Sequence, residues 1–152
     1  MNEQYRELLF IDLCGRIPYK VRMFEIEPIN DIQSNLTLLS ITNKESVICI
    51  TPSGGVIGSS IDAFKPYLFP ISSMTEGQTE EVHNLIYQGV SESIEETKEW
   101  LKTRKENELR PITLTYILSY TLVIDWFCKN HFDYRGLIPM GLAMDATNLN
   151  IY

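Results

Sequence analysis

A chain of 152 residues, 44% of them apolar and 22% charged, is long enough for one domain with a hydrophobic core and unlike a disordered chain in composition. Its net charge of −7 repels phosphate and argues against nucleic acid as a ligand. No apolar run approaches the ~20 residues of a membrane span, and acids stand where a signal peptide needs bases, so a cytoplasmic protein with no membrane role is expected.

In chain order, the spacing of Tyr5, Leu8, Leu9, Asp12 and Leu13 predicts a helix over 3–13, stopped by Gly15 and Pro18. Four short β-prone runs follow: Val21 to Ile26, Leu36 to Ile41, Val47 to Ile50, and Val56 to Gly58. Turn residues separate them, with Pro28 and Asn30-Asp31, then Asn43-Lys44-Glu45, then Pro52-Ser53-Gly54-Gly55. An antiparallel meander is predicted, with an SH3-like barrel as one way of curling it. Residues 61–74 form an aromatic, proline-punctuated connector, too apolar to leave in water and expected to pack across the sheet. Its Phe64, Tyr67 and Leu68 are expected to share one core with Trp126.

Thr75-Glu76-Gly77-Gln78 fits a capping box and opens a helix to about residue 88, with Val82, Leu85 and Ile86 inward and Gly89 as its stop. Ser93-Ile94-Glu95-Glu96 is a second capping box, opening a charged helix to about residue 107 anchored by Ile94, Trp100 and Leu101. Residues 112–116 alternate like a strand, whereas Leu122, Val123, Trp126 and Phe127 keep helical spacing, so a helix is assigned over 117–130 and 112–116 stays open. Asp125 stands one turn before Lys129 and is expected to pair with it. The fold expected is a single α+β domain, 1–152: an N-terminal helix, a small antiparallel sheet within a β-rich 19–74, and a helical C-terminal half over 75–152.

Residues 76–109 hold four bases against nine acids, while residues 110–152 are balanced. That stretch is a solvated helical face or a surface that imitates nucleic-acid charge. The three cysteines, Cys14, Cys49 and Cys128, are odd in number and widely spaced, which points to free thiols rather than a disulfide framework. Cys14 and Cys49, among apolar neighbours, are expected to be buried.

The densest chemistry lies between Asp125 and Ile138. Asp125, Cys128, His131 and Asp133 are possible metal donors, but the chain has only one other histidine, His83, so neither a metal site nor a cofactor is expected. Cys128 and His131 could act as nucleophile and base, yet no oxyanion hole is identifiable, so no catalytic residue is assigned. Asp133 is suited to capping the turn, Arg135 to holding a carboxylate, and Gly136 to a positive φ. Binding roles fall to His131, Asp133, Tyr134 and Arg135, since Tyr and Arg are enriched at binding hot spots.

Three stretches carry a resemblance: Asp12 to Tyr19, Lys65 to Glu76, and Asp125 to Ala146. They resemble blocks of a family of small proteins of Bacteroides-group gut bacteria and their phages, written KPYLRPMSSMTEEE and NHFDYRGLI for its two clearest segments. This chain departs from it at Phe69 and Gly77. The resemblance implies one compact domain and a mobile-element origin, and brings no activity, cofactor or catalytic residue. The leading expectation is therefore a non-enzymatic accessory or interaction protein with a protein partner. The alternatives are a small enzyme with its site around Cys128, His131, Asp133 and Arg135, and an acidic charge-mimic inhibitor using residues 76–109.

Overall fold

The computed structural model describes residues 1–26, 36–87, 94–103 and 114–152, and over them the protein is α+β. Helix α1 (Glu3–Arg16) is capped by Asn2, whose side chain accepts the Tyr5 N–H at 2.8 Å. Its buried stripe is Leu9, Asp12, Leu13 and Arg16. The helix runs past the expected stop because Gly15 serves another purpose. A Cβ there would lie 3.2 Å from Cys128 Sγ, so the glycine lets a later helix approach closely. Ile17 caps the helix, and a 3₁₀ turn over Ile17–Tyr19, with Pro18 at its start, follows it.

Strands β1 (Arg22–Glu25), β2 (Leu36–Asn43), β3 (Ser46–Ile50) and β4 (Val56–Ser60) form the expected antiparallel meander. Asn43 makes the β2–β3 turn by accepting the Glu45 N–H at 2.8 Å, and Gly54 supplies a φ of +86° in the next. The expected turn at Pro28 and Asn30-Asp31 lies outside the described residues. The connector does not pack across the sheet; it joins it. After a 3₁₀ turn at Ile61–Ala63, β5 (Phe64–Leu68) pairs antiparallel with β1, and β6 (Met144–Asp145) runs parallel to β5. Pro66 fits because β6 pairs only from Tyr67 onward, leaving an edge for a residue without an N–H. The order is β4-β3-β2-β1-β5-β6, and among the described residues no ladder closes it into an SH3-like barrel.

Helix α2 (Glu76–Tyr87) begins with the expected capping box: Thr75 N–H donates to Gln78 Oε1 at 2.9 Å and Gln78 N–H to Thr75 Oγ1 at 3.3 Å. Its expected stop, Gly89, and the second box's Ser93 lie outside the described residues. Helix α3 (Ile94–Thr103) is tied to α2 through His83 Nδ1 and the buried Thr97 hydroxyl, 2.8 Å apart. Helix α4 (Leu114–Lys129) starts earlier than expected, so residues 114–116 are helical and 112–113 lie outside the described residues. Alternation of β-prone residues is a weak signal once a helix face can be buried.

Two apolar clusters divide the interior. One joins α1 to the sheet through Leu9, Leu13, Met23, Leu36, Phe64 and Leu68. The other joins α2 to α4 through Val82, Val123, Phe127 and Phe132, with Trp126 partly buried at its border. Trp126 therefore does not share a core with Phe64 and Leu68. Its ring stacks on Phe132 with centroids 5.6 Å apart, and its indole N–H donates to Glu81 at 2.8 Å. Tyr67 instead sets its ring edge-on to Phe24.

Candidate functional site

The three stretches that carry the resemblance meet at one place, where α1, the end of β5 and the turn after α4 come together. Asp12 and Arg16 stand one helical turn apart on the buried face of α1. Arg16 Nε donates to Asp12 Oδ2 at 2.6 Å and Nη2 to Oδ1 at 3.2 Å, with both side chains fully buried. The same Nη2 reaches the Phe132 carbonyl at 2.8 Å, tying α1 to the turn after α4. Arg135 brings a second guanidinium 3.5 Å from Asp12, so one carboxylate faces two cations. Burial pushes the Arg16 pKa down, but Asp12 more than offsets this and the net movement is upward.

Tyr134 lies between the two arginines. The Arg16 guanidinium carbon is 5.6 Å from the centre of its ring and that of Arg135 is 4.8 Å away. Its hydroxyl accepts from Arg135 Nε at 3.0 Å and stands 3.9 Å from Cys128 Sγ. Burial raises the Tyr134 pKa to about 12. Cys128 is itself buried, and burial raises its pKa despite the nearby Arg16. A thiol shifted that way is less a thiolate at neutral pH than a free cysteine is.

Asp133 is committed to the backbone. Its oxygens accept from Leu137 N–H at 2.7 Å and Ile138 N–H at 2.9 Å, and its own N–H donates to the Phe69 carbonyl at 2.8 Å. Gly136, within that loop, takes a φ of +72°, the left-handed conformation glycine suits. His131 follows α4 with a φ of +58°, and its carbonyl accepts the Phe69 N–H at 2.9 Å. Its ring stacks on Tyr152, centroids 3.9 Å apart and planes 13° apart, with Nδ1 buried and unpartnered. Burial, then Arg16, lowers its pKa to about 4, so it is neutral at pH 7 and does not serve the helix dipole as a cation. Asp125 does not pair with Lys129; it accepts from the Tyr19 hydroxyl.

Among the described residues the Cys128 thiol and the His131 ring share no hydrogen bond, the two residues being joined only through the His131 N–H and the Cys128 carbonyl at 3.3 Å, and no group of three His, Cys, Asp or Glu is placed to hold a metal. Tyr134 and Arg135 meet each other, Asp12 and Cys128; His131 and Asp133 face elsewhere. An open groove nearby is lined by Pro70, Ser72, Ser73, Asp145, Thr147, Asn148 and Leu149, none of them among the four residues proposed for an enzyme site. Cys14, expected to be buried, is exposed, because the buried stripe of α1 passes through Leu13 and Arg16. Sequence reasoning missed Arg16 and Tyr152. An acid on an apolar stripe with a base one turn later was a usable signal for the first. Tyr152 accepts the Arg22 N–H at 3.1 Å and donates to the Tyr67 carbonyl at 2.7 Å, a role with no local signal. Comparison with protein-family models, with curated proteins and with solved structures found no match to this chain.

Proposed function

We propose that the protein is a non-enzymatic, cytoplasmic interaction protein of a mobile element or phage, and that its partner is another protein. The observation that supports this reading is the surface of α4. Leu122 and Ile124, on opposite sides of α4, are 44% and 39% exposed, and Ile11 on α1 is exposed as well. Ile124 lies on the side of α4 that, one turn later, packs Cys128 against Gly15. Exposed apolar side chains on a helix that also packs inside the molecule are the kind of surface a protein partner covers. The partly exposed Arg135, beside Cys128 through Tyr134, supplies a charged margin to it.

The test is affinity capture from lysates of a Bacteroides-group bacterium, comparing the parent with a Leu122→Lys/Ile124→Lys variant of matched thermal stability. The reading expects a protein retained in near-stoichiometric amount by the parent and lost from the variant. Retention of the same proteins by both would remove α4 as the docking face. Retention of none by either would remove the reading itself.

A further inference from the structure

A second surface lies at the other side of the molecule, on the edge of the sheet. Strand β4 ends the strand order, and among the described residues no strand pairs with its outer edge. Its ladder with β3 is regular from Ser46↔Ser60 to Ile50↔Val56, whereas the β2–β3 ladder carries register shifts. Val56-Ile57-Gly58-Ser59-Ser60 has no charge, no proline and no bulge, the devices that usually blunt an exposed edge. Val56, Gly58 and Ser60 face water, and Val56, at 63%, is the most exposed large apolar side chain among the described residues.

We propose that β4 pairs antiparallel with β4 of a second copy of this chain, about a two-fold axis at Gly58. The strand is self-complementary in that arrangement. Gly58 meets Gly58, Ile57 meets Ser59, and Val56 meets Ser60, so no side chain opposes a like charge. A chain of net charge −7 repels its own copy, and an approach through two uncharged β4 edges keeps like charges out of the contact itself. Glu45 and Asp62, the latter paired with Arg6 at 2.8 Å, lie at the Ser60 end, which the two-fold axis places beside the uncharged Thr51–Gly55 turn of the other copy. Gly58 completes the fit. The nearest atom to a Cβ there is the Val47 carbonyl oxygen at 4.0 Å, so the outer face above it is open. Val56 of the other copy stands diagonal to that gap and can cover it. The occupant is a second copy rather than an unrelated strand because the neutral, centred pattern is its own complement. This pairing uses no residue of α4, so it stands or falls separately from the protein partner proposed above.

Sedimentation equilibrium across micromolar to millimolar protein tests it. The parent is expected to show a reversible monomer–dimer equilibrium. Val56→Lys, at a site with no core contact to lose, should weaken the dimer by about tenfold or more, while the neutral, β-branched Val56→Thr retains it. Position is read by Gly58→Cys in a Cys14→Ser background. Directly opposed residues in an antiparallel pair lie about 4.5–5.5 Å apart at Cα, within disulfide reach, so mild oxidation should give a covalent dimer. Ser53→Cys in the same background should not cross-link. A parent that stays monomeric at all concentrations overturns the proposal. A dimer indifferent to Val56→Lys, or one in which Ser53→Cys cross-links as readily as Gly58→Cys, overturns it equally.

Discussion

Replacing Asp12 with Ala should be among the most damaging single changes in the chain. The carboxylate holds Arg16 at 2.6 and 3.2 Å and stands 3.5 Å from Arg135, with Asp12 and Arg16 fully buried. Arginine cannot shed its proton, so the variant keeps two guanidiniums close together and loses the one carboxylate among the described residues that both face. Breaking a buried pair from one side costs about 3–5 kcal/mol, a large share of the ~5–15 kcal/mol that holds a typical domain folded. At ~2–4 °C per kcal/mol for a chain of this size, the thermal midpoint should fall by about 6–20 °C. Urea melts of Asp12→Ala and of the pair Asp12→Leu/Arg16→Met separate the causes. The double variant removes the stranded charge and leaves the Phe132 carbonyl without its 2.8 Å donor, a loss of about 1–3 kcal/mol. It should therefore be the more stable of the two. A loss below ~1 kcal/mol for Asp12→Ala, or a double variant worse than the single, would refute the buried-pair reasoning.

Asp133→Ala should cost about 1–3 kcal/mol in urea melts, because it leaves the Leu137 and Ile138 N–H groups without an acceptor. Gly15→Ala should be stabilising in a Cys128→Ala background but not in the parent, with a coupling of ~0.5–3 kcal/mol, since the added Cβ meets Cys128 Sγ at 3.2 Å. For His131, the unfolded chain takes up a proton near the ordinary pKa of 6.5 and the folded protein only near 4. Its stabilising contribution is thus complete above pH 6.5 and is lost as pH falls towards 4, and His131→Phe should remove that part of the stability–pH slope. NMR titration of the two histidines, assigned with His83→Gln, should find His131 titrating well below the ordinary range.

Local chemistry made much of the fold legible. The Thr75–Gln78 box, the Asn43–Glu45 turn and the four strands of the meander all depend on residues within a few positions of one another. The readings that failed depend on distant partners. Gly15 reads as a helix stop until Cys128 is placed beside it. The 61–74 connector reads as a cover because its pairing partner β1 lies far back in the sequence. Trp126 keeps the spacing of a core residue, but the stripe it belongs to faces α2 rather than the sheet. Of the site, Asp133, Arg135 and Gly136 were legible because capping, pairing and positive φ are properties of single residue types. His131 was not: its burial beneath Tyr152 turns an ordinary imidazole into one held neutral.

Whether the dense window from Asp125 to Ile138 is architecture rather than a reactive centre is tested most directly by thiol labelling of the native protein. A colourless aromatic disulfide reagent reports each thiolate as it reacts. Cys14 is exposed, Cys49 and Cys128 are buried, and burial raises the pKa of Cys49 to about 12 and that of Cys128 above its ordinary value. The expected result is one fast equivalent, abolished by Cys14→Ser, with the other two appearing only at the rate of unfolding. A second fast equivalent that disappears with Cys128→Ser and persists below pH 7 would mark Cys128 as a poised thiolate and contradict the structural role assigned to this turn.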